Sequence, residues 1–175
     1  MIPDIPVDEI ARRLLGARLR TEIEGTPTEV ALTEVEAYGP EDPASHAFRG
    51  ERNANRSMFK KPGTLYVYRS YGMHWCANVV TGPVGTGEAV LLRAGTPVTG
   101  EAAMRRRRGR DDHLCDGPGK LCQALGITGD LDGTSLETGP ARLTLAGDIP
   151  GKVIATSRIG ITKGTDRLWR FVLVQ

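Results

Sequence analysis

A chain of 175 residues, 39% hydrophobic and 25% charged, has the composition of a soluble globular protein and is long enough to bury a core. Its net charge of +2 says little by itself, and 22 Gly with 11 Pro make it loop-rich without reaching low-complexity composition. No apolar run approaches the ~20 residues of a membrane span, and Asp4, Asp8 and Glu9 interrupt the start where a signal peptide needs an apolar stretch; a single cytoplasmic domain over 1–175 is expected.

The first predicted element is a helix in "VDEIARRLLGARL" (7–19), where Ile10, Leu14 and Leu15 keep helical spacing and Asp8 sits at or just before the first turn. "TEVALTEVEAY" (28–38) alternates as a strand, which predicts Val30, Leu32, Glu34, Glu36 and Tyr38 on one face. That face begins apolar and ends in two carboxylates and a ring, as a strand running from a core into a pocket would. "TLYVYRS" (64–70) follows the turn signal Lys-Pro-Gly and puts Tyr66 and Tyr68 on one face; Tyr71-Gly72 suggests a hairpin tip. "WCANVV" (75–80) and "EAVLLRAG" (88–95) are further strands, helices are expected near 100–108 and 117–127, and "ARLTLAG" and "RLWRFVLV" read as short strands. Links of hairpin length point to a mixed α/β domain with a curved, largely antiparallel sheet flanked by helices and a protruding β-hairpin near Tyr71.

Three cysteines (Cys76, Cys115, Cys122) cannot all pair, which favours reduced thiols. "HLCDGPGKLC" offers His113, Cys115 and Cys122 to a metal, but the cysteines are seven apart and lack a second knuckle, so small buried hydrophobes are expected and no metal. Two basic runs, "RGERNANRSMFKK" (49–61) and "MRRRRGR" (104–110), attract phosphate or lie as solvated faces.

Seven of the nine aromatics fall between Tyr38 and Trp75. Rings beside the carboxylates Glu34 and Glu36, flanked by bases, suit a pocket that stacks a flat ligand and meets its phosphates outside. The acids alone leave three readings open: a divalent metal site completed by Glu41, Asp42 or His46, a sugar hydrolase, or one general base.

"EAYGPEDPASH", "MFKKPGTLYVYRSYGMHWCAN" and "VLLRA", extended by "CDGPGKLCQALGI" and "RIGI", closely resemble the alkyladenine (3-methyladenine) DNA glycosylase family over nearly the whole chain. The resemblance implies a monofunctional enzyme that flips alkylated or deaminated purines (3-methyladenine, 7-methylguanine, hypoxanthine, ethenoadenine) out of double-stranded DNA and hydrolyses the N-glycosidic bond. It implies Glu36 as the base that activates water and Arg93 as the group that orients it. Tyr38, His46 and Tyr68 would line the pocket, Asn78 would gate against a guanine 2-amino group, and Tyr71 would fill the place of the extruded base. The backbone N–H of His46 would read a lesion that presents an acceptor. No cofactor, metal or membrane is implied, and a monomer suits the task. Lys120 in "GPGKLC" marks a helix start near the DNA backbone. The chain departs from the family pattern at Arg69 and His74, in "YGP" for "YLGP", and in a tail ending "RFVLVQ"; these are expected to affect lesion preference and the far wall of the site. The alternative is a non-catalytic damage-sensing binder, from which Glu36 and Arg93 discriminate; a metal-dependent hydrolase built on Glu34, Glu36 and His46 would be sensitive to chelator.

Overall fold

The computed structural model describes residues 2–174. Helix α1 (Val7–Arg13) is amphipathic and buries Val7, Ile10 and Ala11. It ends six residues earlier than predicted. Leu14 and Leu15 keep their helical spacing and stay buried, but Gly16 turns the chain at φ 83° and donates its N–H to the Leu32 carbonyl at 2.8 Å. The residues beyond it, expected to remain helical, form strand β1 (Arg18–Ile23). Complete burial of Ile10, Leu14 and Leu15 contributes about 1.5–3 kcal/mol apiece.

Next come β2 (Thr26–Tyr38), a 3-10 segment (Asn53–Phe59), β3 (Leu65–Ser70), β4 (His74–Val80) and β5 (Ala89–Thr99). Helices α2 (Glu101–Arg108) and α3 (Pro118–Leu125) follow, then β6 (Ala141–Thr144), β7 (Lys152–Thr156) and β8 (Arg170–Val174). All eight strands join one antiparallel sheet in the order β3-β4-β5-β2-β1-β6, with β8 also on β2 and β7 on β8. Strand β2 organises it. One edge pairs with β5 along most of its length, while the other pairs first with β1 and then, at Glu34–Glu36, with β8. The mixed α/β class with flanking helices is as expected; β1 and β7 were not.

The two faces of the sheet have different duties. One packs on α1, α2 and α3 around a core that includes Leu32, Leu65, Leu92, Met104, Leu121 and Phe171. The other carries the site. The ladder between β2 and β5 is irregular between Leu32 and Val35. Val30 and Leu32 face the core before it, and Val35 and Ala37 face the core after it. The expected single face of Val30, Leu32, Glu34, Glu36 and Tyr38 is therefore divided. A local slip reverses the alternation and turns Glu34, Glu36 and Tyr38 away from the core, a known use of bulges beside functional sites.

Candidate active site

On the face away from the helices, β2 presents Glu36 and Tyr38, β3 presents Tyr66 and Tyr68, β4 presents Asn78 and β5 presents Arg93. The loop after β2 and the 3-10 segment fold across this face. Ala47, Met58 and Phe59 pack there with Tyr66, Val80 and Ala89 in a second, smaller core, and Tyr38 and Tyr68 lie against it. What is left open is a cavity of about 1050 Å³. Tyr38, His46, Tyr68, Asn78 and Arg93 line it, and Tyr71 stands at its rim.

Glu36 lies beneath this cavity with none of its surface exposed. Three groups converge on it. The Ile159 N–H donates to Oε1 at 2.8 Å, the Tyr38 hydroxyl donates to Oε2 at 2.9 Å, and Arg93 Nη1 stands 3.4 Å from Oε2. A carboxylate taken from water needs such compensation, and charged or preorganised donors supply it. Arg93 is held in turn by Glu34, which accepts its Nε at 2.7 Å and that of Arg170 at 2.7 Å. The two acids thus have separate tasks: Glu34 anchors guanidinium groups, and Glu36 is enclosed by Tyr38, Arg93 and Ile159, which themselves line the cavity.

The rings form a graded wall. Tyr66 and Tyr68 lie tilted 33° apart with centroids 5.6 Å apart, and His46 meets Tyr68 edge-on at 4.5 Å. His46 Nδ1 and the Tyr66 hydroxyl share a hydrogen bond of 2.9 Å. Asn55, buried in the 3-10 segment, donates Nδ2 to the His46 carbonyl at 2.9 Å and fixes that loop. The buried Asn78 amide donates to the Tyr66 carbonyl at 3.0 Å. At the tip of the β3–β4 hairpin Tyr71 is 89% exposed and has φ 49°, followed by Gly72 at φ 66°.

Residues 2–175 match the family model for Methylpurine-DNA glycosylase (MPG). The chain belongs to that family. A protein from Agrobacterium fabrum named "Putative 3-methyladenine DNA glycosylase" is 51% identical over 170 residues, covering 94% of this chain and 82% of its own. A protein of the same name from Methanoculleus marisnigri is 50% identical over 170 residues, covering 94% and 88%. The methylpurine-DNA glycosylases are hydrolases of N-glycosyl bonds that act on DNA, so the chain is an enzyme of that class.

Within this glycosylase the electrostatics follow from burial. Tyr38 is pushed far above the usual phenol range by burial first and then by the Glu36 charge, so it remains a hydroxyl donor. Burial likewise raises Tyr66 and Tyr68 and lowers His46, whose inner side packs on the tyrosines while its outer side opens to solvent. The wall is therefore neutral and electron-rich. Among the described residues no three His, Cys, Asp or Glu side chains group as metal ligands. Cys115 and Cys122 are buried in the core, with burial pushing the Cys115 thiol up to about 12, and His113 is exposed beside Asp116.

The basic runs divide. In 104–110, Arg107 caps α3 at the Ala124 carbonyl, Arg105 pairs with Glu101 and Arg110 with Asp112, so much of that run is structural. Arg52, in the other run, lines the cavity mouth. Lys120 lies in the first turn of α3 and is tied to Asp116 at 2.9 Å. Sequence reasoning did not find Arg158, Ile159 or Arg170 as site residues. "RIGI" was matched as a motif but has no chemistry on its face: its contribution is a backbone N–H and a buried guanidinium.

Glu34 also makes a prediction. Burial acts to raise its pKa, but hydrogen bonds from Arg170 and Arg93, with their charges, outweigh it and hold the carboxyl below its ordinary 4.5. Stability linked to it is fully present above pH 4.5 and is lost as pH falls through the lower folded value. The melting temperature should drop over that window, and Glu34→Gln should flatten part of the drop. An unchanged slope in the variant would mean the Glu34 ion pairs do not contribute to it.

Proposed function

We propose that this glycosylase excises alkylated and deaminated purines, including 3-methyladenine, 7-methylguanine, hypoxanthine and ethenoadenine, from double-stranded DNA by base flipping and a Glu36-activated water. The observation that carries the reading is the wholly buried Glu36 carboxylate, held by two hydrogen bonds and the Arg93 charge, all three from residues that line a cavity walled by rings. A base inside a duplex is out of reach, and extruding it costs a few kcal/mol, least at a damaged pair. Each base–aromatic stack returns ~1–3 kcal/mol, so Tyr71 in the vacated space and Tyr38, His46 and Tyr68 around the base offset the cost. A purine alkylated at N3 or N7 carries positive charge, which neutral tyrosine faces attract by ~0.5–2 kcal/mol. Glu36 takes a proton from water as it attacks the deoxyribose C1′, and Arg93 orients that water. The base departs and an abasic site remains. No lysine stands at the Glu36 position, so the strand is not cut, and one copy of the chain suffices.

Base release from duplex oligonucleotides carrying hypoxanthine, ethenoadenine or 7-methylguanine, with EDTA present, tests the reading. Metal-independent release with intact strands is expected; tight binding without release would sink it. Asn78 gives a second test. Its buried amide lines the cavity, and in this reading it gates against a guanine 2-amino group. Asn78→Ser should raise release of guanine-type bases relative to hypoxanthine by about tenfold, in line with the ~1–3 kcal/mol cost of an unsatisfied buried donor. A constant ratio would remove the gate.

A further inference from the structure

We propose that Arg158, through its buried ion pair with Asp42, is a positioning residue that holds the segment after β7 closed on the Glu36 carboxylate. The proposal rests on the reading of Glu36 as the base and deepens it.

Neither side chain of the pair has exposed surface. Arg158 Nη1 donates to Asp42 Oδ2 and, at 2.9 Å, to the carbonyl of Ala37, the residue between Glu36 and Tyr38. Nη2 donates to Asp42 Oδ1 at 3.0 Å and to the Gly164 carbonyl at 3.2 Å. The guanidinium lies 4.6 Å from the Tyr38 ring centre and 5.6 Å from that of Trp169. One group therefore ties together the end of β2, the loop that follows it and the segment 157–164. Asp42 extends the tie toward His46 by accepting the Ala44 N–H at 3.1 Å.

Arg158 is the one buried residue of 157–164; its neighbours Ser157, Ile159 and Gly160 are exposed. The segment has no fully buried apolar residue of its own, Ile161 being only half-buried, yet Ile159, the residue after Arg158, supplies the 2.8 Å N–H bond to Glu36 Oε1. The other neutral donor, the Tyr38 hydroxyl, belongs to a ring backed by the same guanidinium. Both donors thus depend on Arg158. Stability is a poor reason for this arrangement: a buried ion pair is often replaced by apolar groups at no loss, and Arg158 Nε is left buried without a partner. A fixed geometry is what apolar packing would not supply.

The test is single-turnover release of hypoxanthine from a duplex, with lesion binding, thermal melting and amide exchange at Ile159, for wild type, Glu36→Gln, Arg158→Lys and the double variant Asp42→Asn/Arg158→Met, which leaves neither charge orphaned. The double variant should melt cooperatively and bind within about threefold of wild type, while release falls at least tenfold and the Ile159 amide exchanges at least tenfold faster. Arg158→Lys keeps the charge but not the planar fork, and should show the same split to a lesser degree. Release at the wild-type rate in the double variant, or an Ile159 amide unprotected in the wild type, would overturn the positioning role alone. So would binding and release falling in parallel in Arg158→Lys, which marks a merely structural residue. Wild type without release, or Glu36→Gln with undiminished release, would overturn the reading of Glu36 and this proposal with it.

Discussion

Glu36→Gln is expected to lower base release by ~10²–10⁴-fold, the usual cost of losing a general base, while binding of lesion-bearing DNA stays within about threefold of wild type. The substitution keeps shape and removes the proton acceptor. It also removes the charge that faces Arg93 Nη1 at 3.4 Å, so a water between them would lose both its acceptor and the field that orients it. The amide oxygen can still accept the Ile159 N–H in the Oε1 position, and the Tyr38 hydroxyl can turn to accept from the new amide NH2, which is why folding and the aromatic wall should survive. The loss should differ between lesions. A 7-methylguanine leaves as a neutral base from a cationic purine and needs less help; hypoxanthine is neutral and should suffer most. Glu36→Asp separates charge from position: the carboxylate remains but is withdrawn by about one carbon–carbon bond, ~1.5 Å, and misplacement of that order costs up to ~10²-fold. Undiminished release by Glu36→Gln would remove Glu36 from the mechanism whatever its burial.

The parts of this site that were legible in the sequence are those set by local alternation. Tyr66 and Tyr68 share a face because β3 is regular, and the hairpin was visible because Tyr-Gly punctuates two β-rich runs. Three features were illegible for physical reasons. Strand β1 looks helical because Leu14, Leu15 and Leu19 keep their burial across the break, and only the conformation of Gly16 tells the two apart. The reversal in β2 was hidden because a strand pattern carries no mark of where its partner slips; Thr33 and Glu34 look like ordinary alternation until the ladder to β5 is seen. Arg158 was beyond reach because its partner Asp42 lies 116 residues away and its effect passes through a backbone N–H of the next residue. The resemblance supplied Glu36, Arg93 and the rings as a set; the structure adds the groups that hold them.

Tyr71→Ala should weaken capture of every lesion alike, by about 5–150-fold, the equivalent of the ~1–3 kcal/mol that one base–aromatic stack returns. The hairpin itself argues that this ring serves something outside the fold. Tyr71 is 89% exposed and sits at φ 49°, a region a bulky residue occupies at a cost of order 1 kcal/mol. Glycine would form the same turn without that strain. Comparing two substitutions therefore separates the turn from the wedge. Tyr71→Gly should leave the melting temperature unchanged or raise it, whereas Tyr71→Ala keeps the strained backbone and should not raise it; both should lose capture equally, because both lose the ring. Binding of hypoxanthine, ethenoadenine and 7-methylguanine duplexes by the three proteins is the measurement. A loss confined to one lesion would place the ring against the base rather than in the duplex. If glycine instead bound better than alanine by the margin of its extra stability, hairpin geometry and not stacking would govern capture.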